Sequence, residues 1–219
     1  SALKHGAALY AKNITNLTIL TSLILENKCD ADGIKPVLVV QKCQMLTAIS
    51  CTFKENFGGA IYFLESNTLK MLNNNFISNI ADSGSAICTF KVLFVQYFNN
   101  FFNNNVATSC GGAILTEKTD YIIGTKSVFL NNFGYSTGAA LCSKYSVDIY
   151  IDSVTFHGHK YTAVRSHTGK SYVIKNCTFR NNTSDFDVAA AYISETIKVV
   201  VYTSLFSQNN MYANLRVVA

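Results

Sequence analysis

Two short motifs in residues 102–114, which read FNNNVATSCGGAI, decide the fold. The first is an aromatic residue followed three positions later by asparagine, here Phe102 and Asn105. The second is a tetrad of two small residues, alanine and an aliphatic residue, here Gly111 to Ile114. Both motifs recur along the chain in alternation, so together they define one repeating unit.

The two motifs share one irregular period of 23 to 28 residues, measured between tetrad starts. Tetrads begin at Gly6, Ile34, Gly58, Gly84, Gly111, Gly138, Tyr161, Ala189 and Leu215; the copies at Tyr161 and Ala189 are degenerate, and those at Ile34 and Leu215 are weak. The aromatic positions are Phe53, Phe76, Phe102, Phe129, Phe156, Phe179 and Phe206, and Ile24 replaces the ring in the first copy. The amide positions are Asn27, Asn56, Asn79, Asn105, Asn132, Asn182 and Asn209, and His159 replaces the amide in the sixth copy.

The residues seven and five positions before each aromatic are apolar or glycine in every copy. Apolar positions two apart are typical of a strand with one buried face. A unit of about 26 residues cannot bury that face alone, whereas stacked units can. The sequence therefore predicts an all-β, right-handed parallel β-helix of about eight turns across residues 1–219, without significant helix. In this solenoid the phenylalanines are expected to form an interior stack, an interpretation favoured over an exposed surface on which sugar rings would stack. The asparagines form a structural ladder at one bend.

Composition excludes several classes of protein. Of the 219 residues 49% are hydrophobic and 14% are charged, which is too apolar for a disordered chain. No apolar run is long enough for a membrane helix, so no span is predicted in this segment. The net charge of +5 is mild and the basic residues are scattered, so nucleic acid is not predicted as a partner.

The alternation of GGA(I/L/V) with FxxN resembles the repeats of the chlamydial polymorphic outer-membrane protein family, from Gly6 to about Asn209. Similar repeats are found in large surface proteins of protists. The resemblance implies a surface-exposed β-helical passenger region that acts in adhesion. Nothing in these residues resembles the family's C-terminal membrane barrel.

Catalytic, cofactor and metal sites are not predicted. Asp120, Asp148 and Asp152 do not align with acidic residues in the flanking turns, as the carboxylate pairs of a polysaccharide-cleaving β-helix enzyme would. His157 and His159 could ligate a metal ion, but His159 occupies an asparagine position and is interpreted as a ladder residue. The pairs Asp30 with Asp32 and Asp185 with Asp187 could bind calcium, and are interpreted as solvated turn carboxylates.

Seven cysteines leave at least one thiol unpaired within the chain. Cys88 and Cys142 occupy equivalent positions in repeats that lie two turns apart. At about 4.8 Å per turn this separation is too large for a disulfide. Cys29 with Cys43 is the most favourable pair, and at least three free thiols are expected.

Candidate N-glycosylation sequons begin at Asn13, Asn16, Asn176, Asn181 and Asn182.

The sequence thus predicts a non-enzymatic, extracellular or cell-surface β-helical protein that acts as a rigid stalk or adhesive passenger domain for an unidentified protein or glycan partner. Two alternatives stay open. One is a subunit of an extracellular filament made of stacked coils, and the other is a polysaccharide-acting enzyme. The terminal turns carry no evident cap, so the segment is expected to belong to a longer solenoid or to associate end to end.

Overall fold

The computed structural model describes residues 8–28, 36–135, 138–185, 188–210 and 213–218. Within these ranges the chain forms strands joined by turns and bends, and it contains no helix. The strands, numbered β1 to β23 in chain order, make three parallel sheets. This is the all-β architecture that the repeat predicts.

The first sheet has twelve strands and the longest elements. They are β1 (Leu9–Lys12), β2 (Asn16–Leu20), β4 (Leu38–Gln41), β5 (Met45–Ile49), β7 (Ile61–Leu72), β10 (Ile87–Phe98), β13 (Ile114–Thr125), β16 (Leu141–Lys144), β17 (Asp148–Asp152), β19 (Val164–Lys175), β21 (Val188–Tyr202) and β23 (Ala213–Val218).

The other two sheets are built from short strands. The eight strands of the second are β3 (Leu23–Leu25), β6 (Thr52–Lys54), β8 (Asn75–Ile77), β11 (Phe101–Asn103), β14 (Val128–Leu130), β18 (Thr155–His157), β20 (Thr178–Arg180) and β22 (Leu205–Ser207). The three strands of the third are β9 (Ile80–Ala81), β12 (Val106–Ala107) and β15 (Phe133–Gly134).

Each strand pairs in parallel with its equivalent in the neighbouring turn. Phe102, for example, is in register with Phe76 on one side and Phe129 on the other. The described chain makes about seven turns, roughly 27 residues apart, close to the eight that the sequence predicts. The parallel β-solenoid is therefore confirmed.

Three corners in each turn are formed by single residues in the left-handed backbone conformation, with φ between 45° and 69°. Their positions are Asn13, Lys42, Glu65, Lys91, Lys118, Tyr145, Thr168 and Glu195 at the first corner, Thr21, Ser50, Asn73, Asn99, Lys126, Ser153, Asn176 and Thr203 at the second, and Glu26, Glu55, Ser78, Asn104, Asn131, Gly158, Asn181 and Gln208 at the third. A non-glycine residue in this conformation costs about 1–2 kcal/mol. The hydrogen bonds and packing of the stacked turns therefore have to offset this cost at every corner except that of Gly158.

The interior is apolar and continuous along the coil. Strand residues alternate between buried and partly exposed positions, as in β17, where Ile149 and Ile151 point inward. The alanine and aliphatic residues of the tetrad, such as Ala113 and Ile114, are also fully buried. One cluster of contacting apolar side chains extends from the first turns to the last.

Candidate functional site

Seven phenylalanine rings stack through the centre of the coil. From Phe53 to Phe206 the centroids of successive rings are 4.5–5.1 Å apart and their planes differ by at most 16°. The rings from Phe53 to Phe179 are fully buried. From Phe53 to Phe179 the stack is therefore part of the core and offers no surface to a carbohydrate, while Phe206 at its end is partly exposed.

The asparagine ladder joins each turn to its neighbours through side-chain amides, except at the sixth copy. Asn105 is representative, since its Nδ2 donates to Asn132 Oδ1 at 3.0 Å and to the carbonyl oxygen of Phe76 at 2.9 Å. The backbone N–H of Asn105 donates to the same Asn132 Oδ1 at 3.0 Å. The Asn105 Oδ1 in turn accepts from the backbone N–H of Asn79 at 3.1 Å, so each amide satisfies two buried backbone groups of the preceding turn, which explains why asparagine recurs rather than any polar residue.

His159 interrupts this ladder at the sixth copy. Its Nδ1 lies 3.0 Å from the backbone nitrogen of Asn132, while its own backbone N–H donates to Asn182 Oδ1 at 3.0 Å. Nδ1 also lies 3.2 Å from the carbonyl oxygen of Asn132, so the tautomer decides which of the two Nδ1 contacts is a hydrogen bond, and Nε2 is buried. Burial lowers the pKa of His159 to about 4, so the neutral ring is the resident form.

A second ladder, which the sequence analysis missed, lies two residues before the aromatic position and consists of asparagine, serine or cysteine in every copy except the sixth, where Val154 takes the place. Asn74 Nδ2 donates to Asn100 Oδ1 at 3.0 Å, and the backbone N–H of Asn100 donates to Ser127 Oγ at 3.1 Å. Cys51 and Cys177 occupy the same position in other turns, and their thiols contact backbone carbonyl oxygens. The sequence feature that could have revealed this ladder is the recurrence of asparagine, serine or cysteine at the second position before the aromatic residue.

One disulfide joins Cys110 to Cys142, with their Cα atoms 6.0 Å apart. Cys110 lies in the loop before β13, and this loop folds across the outside of the first sheet. There the two cysteines pack with Cys88 and Leu115 in a small outer apolar cluster. The expected pairing of Cys29 with Cys43 is wrong, because Cys43 is free and buried; Cys29 lies outside the described residues.

The other described cysteines are buried, three of them in the core and Cys88 in the outer cluster. They are Cys43, Cys51, Cys88 and Cys177, all buried and unpaired, which satisfies the expectation of at least three free thiols. Burial raises the pKa of the Cys88 thiol to about 12 and that of Cys177 to about 11. Since the thiolate is the reactive form, these thiols are poor nucleophiles.

The five sequons differ in their exposure. Asn13, Asn16, Asn176 and Asn181 are exposed. Asn182 is fully buried, and its Nδ2 donates to Asn209 Oδ1 at 3.0 Å and to the carbonyl oxygen of Phe156 at 3.1 Å. A glycan on this nitrogen is incompatible with the folded ladder, so Asn182 is removed from the glycosylation candidates.

The candidate acidic residues Asp148 and Asp152 do not lie beside other carboxylates in the neighbouring turns. Asp148 is in register with Tyr121 and Ser171, and Asp152 is in register with Thr125 and Lys175. Hydrogen bonds from Tyr150, Ser153, Asn176 and Lys175 outweigh the opposing effect of burial and lower the pKa of Asp152 to about 2. No group of three or more histidine, cysteine or acidic residues suited to a metal ion occurs in the described ranges, and Asp30, Asp32 and Asp187 lie outside them.

A cleft of about 580 Å³ lies on the outer face of the first sheet, in the first half of the coil. The register of the strands places Tyr10, Val39, Tyr62, Cys88 and Leu115 along its floor on successive turns. Two loop segments border it, residues 58–59, which are the first two of a tetrad, and residues 82–84, which lead into the next one. The cleft was not predicted, since it depends on where these loops lie over the sheet.

These features define a class: a parallel β-solenoid with internal phenylalanine and asparagine ladders and a cleft on its outer face. The sequence profile of the Chlamydia polymorphic membrane protein repeat matches residues 101–117. This segment holds Phe102 and Asn105 of one motif and Gly111 to Ile114 of the other, so the match confirms the resemblance on the motifs that carry it.

No curated protein and no solved structure matches the chain. Among the described residues there is also no helix with the length and apolar character needed to cross a membrane.

Proposed function

We propose that this chain is a cell-surface or extracellular structural protein, a rigid β-helical stalk or passenger domain that acts in adhesion. The match to a polymorphic membrane protein repeat at residues 101–117, set within a continuous parallel solenoid, carries the proposal. In such a coil every turn is fixed to its neighbours by strand pairing and by the side-chain ladders. The fold therefore holds an extended surface rigidly along its length.

The Cys110–Cys142 disulfide supports an extracellular or surface location. Structural disulfides form and persist in oxidising compartments and are rare in reducing ones. The four exposed sequons are also accessible to a secretory glycosylation system, where the source cell has one.

The role we propose is non-enzymatic. Polysaccharide cleavage by paired carboxylates needs one carboxylic acid with a raised pKa close to a second carboxylate. Asp152 has the opposite property, since its pKa is lowered to about 2, and its register partners are Thr125 and Lys175. Partner binding is therefore favoured over the enzyme alternative.

Surface exposure is tested with an antibody raised against the purified chain. Intact source cells should bind the antibody, and brief trypsin treatment of those cells should abolish the binding while a cytosolic marker is retained. Labelling that appears only after the cells are permeabilised would contradict the proposal.

A further inference from the structure

The cleft carries polar groups at its border and apolar surface on its floor. The Gln41 amide lies at one side, with Oε1 3.5 Å from Tyr10 Oη and Nε2 3.3 Å from Glu65 Oε2. Asp82 lies at the other side, and Thr108 Oγ1 donates to its Oδ1 at 3.1 Å. These contacts hold an amide and a carboxylate in position across a floor that includes the half-buried Tyr62.

The charge of the cleft excludes one class of ligand. Its described lining residues include one carboxylate, Asp82, and no lysine, arginine or histidine. An anion would meet no opposite charge there and would be repelled by Asp82. An uncharged ligand with many hydroxyl groups fits better, since amide and carboxylate oxygens accept hydrogen bonds from hydroxyl groups and the amide N–H groups donate to them.

The floor favours a ligand with flat apolar faces. Tyr10 and Tyr62 present aromatic surface with a hydroxyl group at the end. Val39 lies between them, because it is the register partner of both on the intervening turn. A pyranose ring combines an apolar C–H face, which packs on an aromatic ring, with hydroxyl groups at its edge. The volume of about 580 Å³ lies within the range of about 300–1,000 Å³ that is usual for small-molecule sites.

We propose that this cleft binds an uncharged oligosaccharide. The tyrosines of the floor pack against the sugar rings, while Gln41 and Asp82 hydrogen-bond to hydroxyl groups. The inference deepens the proposed adhesive function and rests on it for the source of the ligand, which would be a glycan outside the cell.

The test uses the purified chain on one array that carries neutral hexose and N-acetylhexosamine oligosaccharides together with sialylated and sulfated ones. The chain should bind neutral oligosaccharides in preference to charged ones. The neutral oligosaccharide that binds best then serves as the probe for titration calorimetry. Asp82→Ala and Gln41→Ala should each weaken its binding about tenfold, equivalent to ~1.4 kcal/mol.

Matched controls are Asp120→Ala and Gln96→Ala, which remove the same groups from outward positions of the first sheet outside the cleft. They should bind as the wild type does, and thermal melting should show all four variants folded. Binding to no neutral oligosaccharide, binding to charged ones only, or equal binding by the cleft variants and the controls would each overturn the inference. Because this assay uses purified protein, its failure would leave the antibody test of surface exposure unaffected.

Discussion

The ring of Tyr97 occupies the space that a β-carbon on Gly124 would need, although the two residues lie on neighbouring turns. Tyr97 also packs edge-on against Phe102 and Phe129, with ring centroids 6.2 and 6.0 Å away. The large Tyr97 side chain thus fills the space next to Gly124, which has no side chain of its own. Glycine at this inward position is therefore a packing requirement.

Gly124→Ala should lower the free energy of unfolding by about 1–3 kcal/mol, because the added methyl group overlaps the Tyr97 ring. Tyr97→Leu in the same chain should recover part of this loss, and denaturant unfolding of the single and double variants measures the coupling. Thr125→Ala, at the partly exposed next residue, is the control. Equal effects of Gly124→Ala with and without Tyr97→Leu would contradict this packing.

Phe129→Ala should cost about 3–5 kcal/mol of stability, since it removes a fully buried ring from the middle of the stack. The ring centroid lies 4.5 Å from that of Phe102 and 5.1 Å from that of Phe156, so two stacking contacts are lost. Lys126→Ala changes an exposed residue of the same turn and should be nearly silent. Thermal or denaturant melts that show both changes to be equally mild would contradict the interior stack.

His159 should make stability depend on pH in a defined window. Burial lowers its pKa from 6.5 to about 4 in the folded chain, so between these values the unfolded chain binds more protons. The free energy of unfolding should therefore fall as the pH is lowered from about 6.5 to about 4, by about 3 kcal/mol in total. This contribution is fully present at pH 7.

The variant His159→Asn isolates that contribution, because asparagine occupies the position in the neighbouring turns at Asn132 and Asn182. Subtracting its pH–stability curve from that of the wild type removes the titration of the carboxylates common to both. The difference should change between pH 6.5 and 4. A flat difference would show that His159 titrates normally in the folded chain.

Loss of the disulfide should destabilise the chain by about 3–4 kcal/mol in the double variant Cys110→Ser/Cys142→Ser. The bond closes a loop with a sequence separation of 32 residues, which restricts the unfolded chain. Cys177→Ser is the matched control, since serine occupies the same ladder position at Ser127 and Ser204. If urea unfolding under oxidising conditions gave the same stability for the double variant and the wild type, the structural role of the disulfide would be refuted.

The repeat predicted the stacked coil because inward positions are chemically restricted. Phe129 and Asn132 must match their neighbours above and below, so their residue types recur. The left-handed corners could not be predicted in the same way. Lys91, Thr168 and Glu195 occupy equivalent corners and share no side-chain type, since their side chains point to solvent and only the backbone bends.

The outer face was not predictable from the repeat register. That register correctly excluded a bond between Cys88 and Cys142, but it could not show that the loop before β13 brings Cys110 next to Cys142. The cleft depends on the same kind of information. Its border residues Gln41 and Asp82 belong to a strand end and a loop in different turns, and no sequence period relates them.

Peptide mapping of the chain taken from the surface of its source cells tests the account most directly, because it probes the fold and the compartment together. Thiols are blocked under native conditions, then blocked with a second reagent after denaturation, and the protein is digested without reductant. We predict a linked peptide pair containing Cys110 and Cys142, with Cys43, Cys51, Cys88 and Cys177 modified only after denaturation. A fully reduced chain, or Cys110 joined to a different cysteine, would contradict the account.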